Sequence, residues 1–226
     1  MVRFPANGAT GSGYLALPPT GGGPGIIVIQ EWWGLVDHIK DVADRFAAAG
    51  FTALAPDLYD GQTTESPDEA GKLMMALEIE GASRYLKGAI EYLLSHDSVT
   101  APKVGTVGFC MGGQLSLYAA CANPSVGACV DFYGIHPQVK PDLARLRAPV
   151  LGFFAEQDDF VPPAAARSLE ADLRAAGHEV EFTIFEGADH GFFNDTRHQA
   201  HHTAYAQECW DRMLKFFNQH LREGTA

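Results

Sequence analysis

Residues 103–113 read KVGTVGFCMGG. The first seven form a strand-like run, and GGQLSLYAACA (112–122) continues as a helix. At the junction stands Gly108-Phe109-Cys110-Met111-Gly112, a G-x-nucleophile-x-G turn with cysteine at its centre. The logic of such a turn is steric. A sharp strand-to-helix reversal forces its central residue into a strained backbone conformation, and small residues on either side let strand and helix approach. The central side chain then projects above the sheet at a helix N-terminus, where free N–H groups and the helix dipole favour negative charge and lower a thiol pKa. A lone GxCxG is equally compatible with a buried structural cysteine. The strand–turn–helix setting favours the reactive one.

The pattern repeats outward in both directions. Ile26 to Ile29 form a continuous apolar run, as expected of a strand buried on both faces. Residues 36–49 have helical periodicity and stop at Gly50, FTALAP (51–56) is a strand, and residues 68–95 hold one or two amphipathic helices. Toward the C-terminus come strands at 127–134, 149–155 and 179–186, a helix at 163–177 and a last helix at 200–222. Alternating strands and helices predict an α/β fold: a mostly parallel central sheet between helical layers, one domain over 1–226. YLALP (14–18) is expected as an antiparallel edge strand, and TGGGPG (20–25) as a turn.

Composition narrows the function. The 226 residues are 46% hydrophobic and carry a net charge of −12, which argues against a nucleic-acid partner, since phosphate neutralisation needs clustered Lys and Arg. No apolar run approaches the ~18 residues of a membrane span, and the N-terminus lacks the apolar core of a secretory signal. Four cysteines, Cys110, Cys121, Cys129 and Cys209, are too few for a disulfide scaffold, and none has zinc-ligand spacing. The expectation is a cytoplasmic protein with free thiols, no metal and no cofactor, as a monomer or homodimer. Cys121, Cys129 and Cys209 lie in helix or strand patterns and are read as core.

In open parallel sheets, ligands bind beyond the carboxyl ends of the strands. A cysteine nucleophile there needs a base, and the base an orienting acid, in the chain order nucleophile, acid, histidine. Strand 149–155 leads into Glu156-Gln157-Asp158-Asp159, and strand 179–186 into Gly187-Ala188-Asp189-His190-Gly191. His190 is therefore the candidate base, with His136, after strand 127–134, its rival. Asp158 and Asp159 both remain open as the acid.

Four blocks in this order, Gln30-Glu31-Trp32-Trp33-Gly34, Gly108 to Gly113, Gln157-Asp158-Asp159-Phe160-Val161-Pro162 and Ala188-Asp189-His190-Gly191-Phe192, resemble the dienelactone hydrolases (carboxymethylenebutenolidases) across nearly the whole chain. The resemblance implies a three-layer α/β-hydrolase sandwich and a Cys110-His190-Asp158 triad, selecting Asp158 over Asp159. It gives Glu31 a place beside the nucleophile, where it takes part in switching the thiol to a thiolate. The oxyanion hole is then expected from the backbone N–H groups of Trp32 and Met111. The expected chemistry is hydrolysis of a small-molecule ester or lactone through a thioester acyl-enzyme. An enol-type leaving group suits it, because a thiolate attacking an ordinary ester tends to be expelled again.

The substrate side departs from the family. Its two carboxylate-binding arginines correspond here to Lys72 and Asn194, with Arg197 three residues further on and Arg84 another nearby cation. Lys72, Trp33, Phe192, Asn194 and Arg197 are the candidate substrate contacts. The alternative is a non-catalytic binding or redox-sensing protein using Cys110 on the same scaffold.

Overall fold

The computed structural model describes residues 1–6, 8–19 and 21–222. The strands are β1 (Val2–Ala6), β2 (Ala9–Ala16), β3 (Gly23–Ile29), β4 (Thr52–Pro56), β5 (Val99–Phe109), β6 (Val126–Phe132), β7 (Val150–Gln157) and β8 (Val180–Asp189). The helices are α1 (Asp37–Ala48), α2 (Pro67–Ala76), α3 (Ile79–Leu94), α4 (Met111–Ala122), α5 (Pro163–Ala175) and α6 (Thr203–Leu221).

The eight strands form one sheet in the order β1-β2-β4-β3-β5-β6-β7-β8. From β4 to β8 all neighbours are parallel, while β2 runs antiparallel to both β1 and β4. The antiparallel character expected of the early strand is present, but β2 is not the edge. Its outer side is covered by β1, a short strand in which Pro5 lacks the N–H needed on a central strand. Residue 20 of the expected glycine turn lies outside the described residues, and the rest of the turn ends early, because Gly23 and Gly25 already pair with β5.

Strand β3 shows why the sheet is a middle layer. All seven of its residues are buried. Ile26 and Val28 join the apolar cluster beneath α1 and α6, including Ile39, Phe46, Met213 and Phe217. Ile27 and Ile29 join the opposite cluster beneath α3 and α4, with Leu86, Ile90 and Leu115. Successive strand side chains point to opposite faces, so a continuous apolar run is what a strand covered on both sides requires. Burying each such side chain is worth roughly 1.5–3 kcal/mol, and the fold rests on these two cores.

The parallel register also positions the site. Ile29 pairs with Gly108, Phe109 with Phe132, Phe132 with Phe153, and Gln157 with Asp189. The carboxyl ends of β3, β5, β7 and β8 therefore open on one rim, and the loops that leave them carry Glu31, Cys110, Asp158 and His190.

Candidate active site

Cys110 sits between β5 and α4 with φ 55° and ψ −125°, a conformation that L-residues rarely adopt. Such strain costs on the order of 1–3 kcal/mol and persists only where the surroundings enforce it. Here a backbone hydrogen bond from Cys110 N–H to Phe132 O (3.1 Å) and one from Ile135 N–H to Cys110 O (3.1 Å) clamp the residue to the end of β6. The flanking glycines make the turn possible. A Cβ on Gly108 would stand 1.8 Å from the carbonyl oxygen of Gly112, and one on Gly112 would stand 2.4 Å from that of Gln30. Backbone meets backbone at both places, so neither position has room for a side chain.

The imidazole of His190 donates through Nδ1 to Asp158 Oδ2 at 2.7 Å. The other carboxylate oxygen accepts from the N–H groups of Phe160 (2.8 Å) and Val161 (2.9 Å), which fix the acid in its loop. With Nδ1 engaged, Nε2 is the nitrogen left for Cys110, which lines the same cavity and raises the imidazole pKa. Burial pushes the imidazole pKa down. The hydrogen bonds to Asp158 and Cys110, together with the attraction of both groups, outweigh it and lift the value to about 10. The ring is held between Tyr133 (centroids 4.9 Å apart) and Phe160 (5.1 Å).

The other thiols have different surroundings. Burial pushes Cys121 up to about 11 and Cys129 up to about 12, and it raises Cys209 as well. Cys110 alone of the four lines the main cavity.

Glu31 also lines that cavity, although only 3% of its surface is exposed. Its Oε2 accepts from Asn194 Nδ2 at 2.8 Å. The turn from Glu31 to Gly34 closes through Gly34 N–H to Glu31 O (3.3 Å), which leaves the Trp32 N–H outside that bond. Met111 opens α4, so helix geometry gives its N–H no partner within the helix.

The cavity measures about 600 Å³. Trp32, Trp33 and Phe160 form aromatic walls, and Arg197 lays its guanidinium over the Trp33 ring, 3.6 Å from the centroid. Thr196, His198 and Gln199 complete the rim. Of the expected substrate contacts, Trp33 and Arg197 are on the wall. Lys72 lies elsewhere, exposed on α2 and held by Glu69 at 2.7 Å. Phe192 is fully buried against Tyr133 and Phe185. Asn194 is 2% exposed, behind Glu31. His136, the rival base, is turned away to the carbonyl of Met74 at 3.1 Å. Asp159 stays exposed, and Glu156 accepts from Gly187 N–H at 3.0 Å, beside the site. Phe160 and His198 went unnoticed as wall residues, because loops leave no periodic signal in sequence. Among the described residues no group of His, Cys, Asp or Glu side chains is arranged to hold a metal, and no helix is long and apolar enough to cross a membrane.

Comparison with known proteins gives a consistent result. Residues 12–221 match the dienelactone hydrolase family. The chain is 36% identical to "Protein usf" of Aquifex pyrophilus over 98% of both chains. It is 33% identical to the "Putative carboxymethylenebutenolidase" of Aquifex aeolicus, over 98% of this chain and 99% of that one. Among solved structures, the "Putative Dienelactone Hydrolase" from Klebsiella pneumoniae superposes with a TM-score of 0.87 at 29% identity, over 96% of this chain and 97% of that one.

Proposed function

The chain belongs to the dienelactone hydrolase family, and on that premise we propose that it hydrolyses small esters or lactones with Cys110 as nucleophile, His190 as base and Asp158 as the orienting acid. The observation that carries this reading is the arrangement on one rim: Asp158 Oδ2 to His190 Nδ1 at 2.7 Å, with the imidazole and Cys110 lining the same cavity.

The steps follow from the chemistry of these groups. The Cys110 sulfur, its proton passed to His190, attacks the substrate carbonyl. The oxyanion is met by the N–H groups of Met111 and Trp32, worth roughly 3–4 kcal/mol each in comparable sites. The leaving enolate or alkoxide takes the imidazolium proton, and a thioester remains on Cys110. Acylation removes the sulfur's charge and its hydrogen bond to the ring, two of the influences that raise the imidazole pKa. The ring is then a free base that draws a proton from water, and hydroxide attack releases the acid product. Glu31 lines the same cavity as Cys110, and its part in the reading is to steer the thiol's proton toward His190 by acting on the charge that develops at the sulfur.

For the substrate, the aromatic walls favour a flat conjugated or aryl acyl group. Arg197, on the cavity wall, is the cation we assign to a negative group on it. The protein is proposed to act in the cytoplasm, as a monomer or homodimer and without a cofactor. The test is turnover of enol lactones and aryl esters, with and without a carboxylate, by wild type and Cys110→Ala. Loss of turnover in the variant supports the reading. Equal turnover in both, or none in either, removes it, the latter favouring a sensing thiol.

A further inference from the structure

We propose that Asn194 is the positioning residue of Glu31, holding its carboxylate in the cavity that Cys110 lines through a donor that cannot turn over. The inference rests on the reading that Glu31 acts beside Cys110.

A carboxylate that is 3% exposed needs a donor, since an unpartnered buried acceptor is costly. The donor here is an amide 163 positions away in sequence, Asn194 Nδ2 to Glu31 Oε2 at 2.8 Å. An amide has a donor end and an acceptor end, and either can face a carboxyl group if the side chain flips. This one is fixed. Its Oδ1 accepts from the Thr196 N–H at 3.0 Å and from the Thr196 hydroxyl at 2.7 Å. A flip would break both bonds and set the amide oxygen against a carboxylate oxygen.

The backbone fixes Asn194 just as firmly. Its N–H donates to Gly191 O at 2.9 Å, and its carbonyl accepts from Arg197 N–H at 3.1 Å. The loop that leaves β8 with His190 is thereby joined to the turn that leaves β3 with Glu31. Being neutral, the amide orients the carboxylate without cancelling its charge.

The test is a double-mutant cycle on kcat and KM with an aryl ester, using Asn194→Ala and Glu31→Gln. Alkylation of Cys110 by iodoacetamide is followed from pH 5 to 9 as a second readout. Asn194→Ala is expected to lower kcat by roughly tenfold, with KM within about twofold, and to have little further effect once Glu31→Gln is present. An equal loss in both backgrounds overturns the positioning role. If Glu31→Gln alone changes neither kcat nor alkylation, the Glu31 reading fails and this inference falls with it.

Asn194→Asp keeps the shape and the Thr196 bonds but sets carboxylate against carboxylate. It is expected to lose more activity at pH 8 than at pH 6, because a shared proton bridges the two groups only at the lower pH. A flat loss across pH overturns the proposal, and this variant decides the matter if the alanine variant does not fold.

Discussion

Predictions at the residue scale follow from what lifts the His190 imidazole. Asp158→Asn removes both a hydrogen bond and a charge that raise it. The ring then loses its proton at lower pH, so the alkaline limb of the kcat/KM profile is expected to move down while kcat/KM falls by roughly 10²–10⁴-fold. A stopped-rate pH series checks both. The thiols give a second prediction. Since burial raises Cys121, Cys129 and Cys209, brief iodoacetamide treatment at pH 7 should label Cys110 alone, as read by peptide mass spectrometry. The choice of Asp158 over Asp159 came only from the family resemblance, while the loops of the candidate triad were legible at this scale because each follows a strand, so locating the strands locates the loops. The pairing of Asn194 with Glu31 was not, because residues 31 and 194 meet only when β3 and β8 are already in one sheet.

At the scale of the element, the β5–α4 turn is where sequence and geometry agree most closely. A Cβ on Gly108 would collide with backbone that cannot retreat without unwinding α4. Gly108→Ala is therefore expected to destabilise the protein by at least about 2 kcal/mol, measured as a lower urea midpoint at unchanged slope. A wild-type midpoint would show that the turn relaxes freely. The same steric argument made this element readable from KVGTVGFCMGG. It gave no help at the other end of the sheet. There β1 is five residues long and contains a proline, too short for an alternating pattern to stand out. The break between α2 and α3 also carries no proline or glycine. It falls at Leu77 and Glu78, where extended backbone interrupts an otherwise helical pattern, so a prediction of one or two helices was as far as periodicity reached.

At the scale of the whole molecule, strand order was beyond the sequence, because it depends on crossovers that no local pattern encodes. The layering was legible, because a fully apolar strand such as β3 requires cover on both faces. Global stability carries its own prediction through Asp131, a fully buried carboxyl group at the end of β6, next to the nucleophile turn. Burial raises its pKa to about 7, against a smaller opposing pull from the Gly134 backbone N–H. A carboxyl that ionises later when folded than when unfolded makes the fold lose stability as pH rises from about 4 to about 7, by at most roughly 4 kcal/mol. Asp131→Asn should therefore raise the Tm clearly at pH 8 and little at pH 4.5 in thermal scans. A shift independent of pH would show that the carboxyl is not held neutral at low pH.

The account turns on covalent catalysis by one sulfur, and trapping the intermediate tests it most directly. In the wild type, rapid acid quench within the first turnover after mixing with an activated aryl ester, followed by peptide mass spectrometry, should find at most one acyl group per chain, attached to Cys110. An acyl group on another residue, or undiminished turnover by Cys110→Ala in the same assay, would contradict it.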